Sequence, residues 1–348
     1  MIQPARLAGL ALASLSDRAD EAWLLGRDWV RRRGAREREE RSVHAAVRRA
    51  LAFMRRRQRS DGQFRGFLLL PGASTDWITS HVAFVLEDVP EAQDICRAAA
   101  VYLSRVLQKR GACGYNARVG QDCDSTAQAL LAVHRFGLPY PPGALDWLLA
   151  AQRPEGGFPT YPMYSDGPVC DGWHAAHPDV TAVVILALRR LNAPADRIGR
   201  AERWLGAQAV GGLLPAYWWR DPGYGLWVQT RAGIDAAHAS SAAARLLGDS
   251  RTQPLLAMLT IAAADEGHRG MAAAIPALLD NQDHDGSWPC SPCLRVTNRR
   301  CHTASAANPG RVYSDRRRVF ATAYALAALA QIQCGGRQVR VRGPSGAK

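Results

Sequence analysis

A phrase that recurs along the chain limits what it can fold into more than any other feature. A helical stretch ends on glutamine, a polar turn with glycine follows, and an aromatic residue closes the turn. Good copies are Gln58 with Gly62 and Phe64, Gln152 with Gly156, Gly157 and Phe158, and Gln282 with Gly286 and Trp288. Weaker copies sit at Gln108 with Gly114 and Tyr115, and at Gln208 with Gly211 and Gly212. Successive glutamines are 50, 44, 56 and 74 residues apart, in the range of repeats built from helix pairs. Glycine tolerates the positive φ that a helix end or tight turn needs. The glutamine amide can bond backbone groups of the turn, and the aromatic ring packs over it.

Between the phrases lie alanine-rich helices that begin on small polar clusters. These are Thr75 to Ser80, Asp122 to Ala127, Pro178 to Ala182, Asp235 to His238 and a start near Arg311 to Tyr313. Asp, Ser and Thr at such starts are good N-caps. Helices such as 126–131 and 181–188 are apolar around much of their surface, which suits an inner ring contacted on both sides. Strand signals are thin. The expectation is an all-α chain, an (α/α)6 toroid with inner and outer helix rings, over residues 45–335. Residues 1–44 read as an N-terminal helical extension or lid, and 336–348 as a disordered basic tail.

With 47% apolar and 22% charged residues among 348, the chain can bury a sizeable core. The net charge is +13, yet Lys109 and Lys348 are its only lysines. The densest basic stretch, 31–59, is interleaved with Glu37, Glu39 and Glu40, the pattern of a solvated, salt-bridged helix. It lacks interleaved aromatics for base stacking, so no nucleic-acid partner is expected. Contact with an anionic membrane or a diphosphate-bearing substrate stays open. No apolar run reaches the roughly 18 residues of a membrane span. The first residues lack a basic start and a long apolar run, so the expected location is cytoplasmic, with peripheral membrane association open. Eight cysteines in such a chain do not suggest a disulfide framework. Cys290, Cys293, Cys301 and His302 have spacing that could close a structural zinc site; incidental cysteines are the plainer alternative.

The glutamine–glycine–aromatic phrases resemble the QW repeats of squalene-hopene cyclases, oxidosqualene cyclases and their diterpene relatives. The hexapeptide Asp122, Cys123, Asp124, Ser125, Thr126, Ala127 is similar to the Asp-x-Asp-Asp-Thr-Ala motif of class II terpene cyclases, with Ser125 replacing an aspartate. The resemblance implies that Asp124 is a general acid protonating an alkene or epoxide to start carbocation cyclisation. It places Asp122, Ser125 and Thr126 beside Asp124, and no cofactor is required. An ordinary N-cap is the plainer reading of the same residues. Carbocations are stabilised by aromatic faces, and the candidates for lining the cavity are Trp77, Trp173, Tyr217, Trp218, Trp219, Tyr224, Trp227, Tyr313 and Phe320. His174 joins them as a group that could tune Asp124.

Class II cyclases usually carry a second helical domain, for which this chain has no room, so a smaller isoprenoid substrate or a helical partner chain is expected. Single rings of this kind occur in protein prenyltransferases. Cys170, Asp171 and His174 invite comparison with the zinc ligands of that family, although their order differs. A zinc-assisted prenyltransferase is therefore one rival reading. A non-catalytic toroid that binds a lipid or a protein partner is another.

Overall fold

The computed structural model describes residues 43–162, 171–247, 253–262, 268–303 and 310–333. The lid and tail expected at 1–44 and 336–348 lie almost wholly outside them, as does Cys170. The helices are α1 (Val43–Arg57), α2 (Asp76–Val85), α3 (Gln93–Arg110), α4 (Cys123–Arg135), α5 (Gly143–Ala150), α6 (Asp171–His174), α7 (Pro178–Arg190), α8 (Ala195–Ala207), α9 (Gly223–Ala232), α10 (Ala236–Leu247), α11 (Gln253–Ala262), α12 (His268–Asp280) and α13 (Val319–Gln333). Two short antiparallel hairpins accompany them: β1 (Leu68–Leu69) with β2 (Gly72–Ala73), and β3 (Leu294–Val296) with β4 (Arg311–Tyr313). The helix start expected near Arg311 is strand β4; the helix begins at Val319 instead.

Contacts order the helices. Helix α2 packs on α4, α4 on α7, α7 on α9, α9 on α11, α11 on α13, and α13 returns to α2. Their partners α1, α3, α5, α8, α10 and α12 lie against this set. The composition explains the division: α13 is buried continuously from Val319 to Ala330, and α2 from Asp76 to Val85. By contrast, α8 buries only Ala201 and Leu205 and presents charge elsewhere.

The recurring phrase is a three-way staple. Gln58 Nε2 donates to Gly62 O at 3.0 Å and to Ile95 O, on α3, at 2.9 Å. Gln152 donates to Gly156 O and to Arg197 O, on α8, both at 2.9 Å. Gln282 donates to Gly286 O at 3.1 Å and to Ala46 O, on α1, at 2.9 Å, so the last full phrase ties back to the first of the described helices. The closing aromatic then reaches an inner helix. Phe64 N–H donates to Thr79 Oγ1, Phe158 N–H to Thr181 Oγ1 and Trp288 N–H to Thr322 Oγ1. The weaker copies lack this double glutamine bond. Gln108 reaches Ser104 and Pro139, and Gln208 only Trp204 O at 3.4 Å. Near Gly212, Gln229 from α9 substitutes, donating to Gly212 O at 2.8 Å.

Gly286 holds φ of +89°, and a Cβ there would lie 2.3 Å from the Arg49 carbonyl oxygen. Both strain and overlap fall on the junction between α12 and α1. Gly286→Ala is expected to cost about 2–5 kcal/mol, read as a melting temperature lowered by roughly ten degrees. An unchanged melting temperature would mean the junction gives way freely.

Candidate active site

The staple threonines set a register on the inner helices. In α4 the equivalent residue is Thr126, whose Oγ1 pairs with both N and O of Cys113 at 3.1 Å. Two residues earlier on each such helix stand Trp77, Asp124, Asp179 and Phe320. Asp179 is thus the counterpart on α7 of Asp124 on α4. Trp77, Asp124 and Asp179 line a cavity of about 620 Å³, within the range of small-molecule sites. Its wall also includes Tyr115, Tyr161, Trp173, Trp218, Trp219 and Tyr224.

Asp122 caps α4. Its Oδ1 accepts Ser125 N–H at 2.6 Å and its Oδ2 accepts Ser125 Oγ–H at 2.9 Å. Asp124, in the first turn, accepts Trp77 Nε1–H on Oδ2 at 2.7 Å and Gln128 Nε2–H on Oδ1 at 2.9 Å. Behind Gln128 the polar chain continues. Gln128 Oε1 lies 3.1 Å from His81 Nδ1, and His81 Nε2 lies 3.0 Å from the Tyr324 hydroxyl. With the amide N–H committed to Asp124, Gln128 Oε1 must accept, so Nδ1 of His81 carries the proton and Nε2 accepts from Tyr324. Burial lowers the His81 pKa to about 3, so the ring is neutral. The chain orients Gln128 without bringing a positive charge to Asp124.

Burial raises Asp124 to about 6 against the opposing pull of the Trp77 and Gln128 bonds, and the nearby Asp179 charge adds to the rise. Burial and the charge of Asp124 raise Asp122 to about 8. Asp179 rises to about 6, also by burial. Its Oδ2 accepts Tyr217 N–H at 3.1 Å and Trp218 N–H at 3.2 Å. Its Oδ1 is buried with no hydrogen-bond partner. The 216–218 backbone is held in place by Arg295, whose guanidinium donates to the carbonyls of Ala216 and Tyr217.

Aromatic faces pack closely here. Trp219 stacks on Tyr224 with centroids 4.6 Å apart and on Phe320 at 4.9 Å, and Trp77 lies 6.0 Å from Trp219. Trp218 Nε1–H donates to Thr160 Oγ1 at 2.7 Å, and Thr160 is 2.8 Å from His177 Nδ1. His177 Nε2 faces the Gly172 carbonyl at 2.9 Å and must donate to it, so Thr160 donates to Nδ1. These bonds fix the angle of the Trp218 ring.

Of the residues proposed from sequence, Asp122, Asp124, Trp77, Trp173, Trp218, Trp219, Tyr224 and Tyr313 line the cavity. Ser125 and Thr126 do not; both are fully buried and serve the cap and the staple. Phe320 and Trp227 form packed layers behind the wall, Trp227 against Phe84, Tyr224 and Tyr324. Tyr217 stacks on His177 with its hydroxyl on Thr297 and the Cys301 carbonyl. His174 is 2.7 Å from the Tyr161 carbonyl rather than bonded to Asp124. The stretch Tyr217 to Trp227, dense in aromatics, is loop only as far as Pro222 and then helix α9.

The zinc ligand set is not assembled. Cys290 and Cys293 are 3.9 Å apart through sulfur, whereas Cys301 donates to the Thr303 carbonyl. Among the described residues no group of three or more His, Cys, Asp or Glu side chains is placed to hold a metal. The same holds around Asp171 and His174. Asp179, Tyr161, Arg118 and Arg299 were missed by sequence reasoning; for Asp179 the signal was its register two residues before Thr181.

No protein-family model matches the chain, and no curated protein does. Solved structures do. A protein from Actinoplanes is 28% identical, with TM-score 0.70 over 83% of this chain and 98% of that one. The type II terpene cyclase MstE from Scytonema, in complex with merosterolic acid A as product, is 20% identical, with TM-score 0.71 over 82% of this chain and 96% of that one. The ent-copalyl diphosphate synthase from Streptomyces platensis is 16% identical, with TM-score 0.54 over 73% of this chain and half of that one. The chain therefore has a terpene cyclase-like helical fold. Among the described residues no helix is long and apolar enough to cross a membrane.

Proposed function

We propose that the protein is an acid-initiated isoprenoid cyclase working in a closed (α/α)6 toroid. The observation that carries this reading is a half-buried carboxyl, Asp124, lining an aromatic-walled cavity with both oxygens engaged by N–H donors. Each oxygen keeps one lone pair free for the proton, and Asp124 lines the cavity. The two donors stabilise the carboxylate left behind, which strengthens the acid at the moment of transfer. Burial keeps a fraction of the groups protonated near neutral pH. The Asp124 O–H bond breaks as a C–H bond forms on an alkene carbon. The resulting carbocation is attacked by the next π-bond, closing a ring. Rings such as Trp219, Trp77 and Tyr224 contribute about 0.5–2 kcal/mol each to its stabilisation. Asp179, which lines the same cavity, is the anion available to the cation. Loss of a C–H proton ends the sequence and leaves a product isomeric with the substrate.

The likeness to MstE, solved with geranylgeranyl dihydroxybenzoate as substrate, supports an isoprenoid ligand. No motif points as clearly to a prenyl acceptor, and the candidate zinc ligands are not gathered. The test is incubation with a panel of polyprenyl compounds followed by mass spectrometry. Cyclisation yields a product of unchanged mass with fewer double bonds. A product lighter by its head group, or joined to a second molecule, would refute the reading.

A further inference from the structure

The sulfurs of Cys290 and Cys293 meet at 3.9 Å, between the turn of the last full staple and strand β3. The cavity chemistry makes no use of them. Cys293 is buried and Cys290 half-buried, and Pro289 and Pro292 beside them are exposed. By contrast, Cys96, Cys113 and Cys123 are fully buried, and Cys301 is turned to the Thr303 carbonyl. The pair thus joins a thiol that solvent can reach to a sheltered one in contact with it. Two thiolates alone do not close a tetrahedral zinc site. Among the described residues no third His, Cys, Asp or Glu is placed to join them on a metal.

Cys293 belongs to the strand pairing that holds part of the cavity wall. Its carbonyl accepts Arg220 N–H at 3.0 Å, and its own N–H donates to the Tyr313 carbonyl at 3.0 Å. Arg295 N–H donates to the Trp218 carbonyl at 2.7 Å, and Leu294 pairs antiparallel with Trp219. Cys293 also lines a second, narrow void with Trp219, Tyr224, Leu255 and Met258, and those two rings line the main cavity as well. With its backbone held on both sides, Cys293 is the fixed member of the pair.

We propose that Cys290 and Cys293 are an oxidisable thiol pair, closed reversibly to a disulfide by a low-molecular-weight disulfide, and that the bond clamps the pairing that carries Trp218 and Trp219. The Cys290 thiolate attacks one sulfur of the oxidant, whose S–S bond breaks and releases a first thiolate. Cys293 then attacks the Cys290 sulfur of the mixed disulfide, and its proton passes to the second departing sulfur. Two protein thiols are oxidised and one small disulfide is reduced to two thiols. The sulfurs close from 3.9 Å to a bond of about 2.05 Å. The loop so formed is short, from position 290 to 293, so the unfolded chain is little restrained and the stiffening is local.

Incubation with oxidised glutathione, followed by alkylation, trypsin and mass spectrometry, tests this. Cleavage after Arg269 and Arg295 gives a peptide whose only cysteines are Cys290 and Cys293. That peptide should lose a pair of hydrogens, escape alkylation, and recover both alkylation sites after dithiothreitol. Cys293→Ser should instead stop with glutathione on Cys290, and Cys290→Ser should carry none. Amide exchange at Arg220 and Arg295 should slow by about tenfold in the oxidised protein; unchanged exchange would remove the clamp. Both thiols still open to alkylation after incubation, or a stoichiometric zinc ion that keeps them from the oxidant, would overturn the pair. Melting temperatures confirm that the serine variants are folded. None of these readouts depends on the cyclase reading.

Discussion

Asp124→Asn is expected to lower cyclisation by about 10³-fold or more while the protein remains folded. General acids contribute about 10²–10⁴-fold, and a carboxamide at position 124 has no proton acidic enough for an alkene. The substitution is nearly isosteric. Its carbonyl keeps the bond from Trp77 or from Gln128, and its amide then faces the other donor. Gln128 can answer by turning its own amide, provided His81 changes tautomer between Gln128 and Tyr324. The fold therefore survives with a modest change in stability, and substrate binding persists. Turnover with accepted substrate, measured beside the melting temperature, checks both halves. Undiminished turnover would remove Asp124 from the chemistry.

Asp179→Asn is expected to separate stability from activity. The new side chain keeps an oxygen on the N–H groups of Tyr217 and Trp218 and replaces the bare Oδ1 with a neutral amide. The folded-state pKa of Asp179 is raised to about 6 from the ordinary 3.8. A raised carboxyl binds its proton more tightly in the folded than in the unfolded chain. Its stabilising effect is full below about pH 4 and is lost as pH climbs through about 6. That loss is on the order of 3 kcal/mol for a shift of this size. The variant should therefore melt several degrees above the parent at about pH 8, with the gap closing toward about pH 4. Turnover should fall by about 10²-fold, the scale of losing one preorganised electrostatic partner. A variant that is both more stable and fully active would make Asp179 a passive liability.

Much of the fold could be read from sequence because its staple is local. Glutamine, glycine and aromatic occupy one short phrase, and their bonds at Gln58, Gln152 and Gln282 follow from the spacing. The bond from Gln282 to Ala46 joins the last full phrase to α1 across 236 residues. The weaker copies misled where one partner of the phrase was borrowed from elsewhere, as with Gln229 at Gly212. The cavity lining was legible where it coincides with a motif, at Asp122 and Asp124. It was less so where the lining depends on register across helices. Thr126 belongs to the staple, and Thr181 marks Asp179 as the equal of Asp124, a relation visible only once the threonine bonds are known. Aromatic density alone did not separate Trp219, which lines the cavity, from Trp227 and Phe320 behind it. Cysteine spacing was a poor guide, since Cys301 is turned to the Thr303 carbonyl instead of toward Cys290 and Cys293.

The proton that begins the reaction is the most direct thing to follow. In deuterium oxide the Asp124 carboxyl exchanges with solvent, and the protein should place one deuterium on carbon in each cyclised product molecule, one mass unit above the substrate. A cyclised product formed in deuterium oxide without deuterium on carbon would contradict proton donation to an alkene by this cavity.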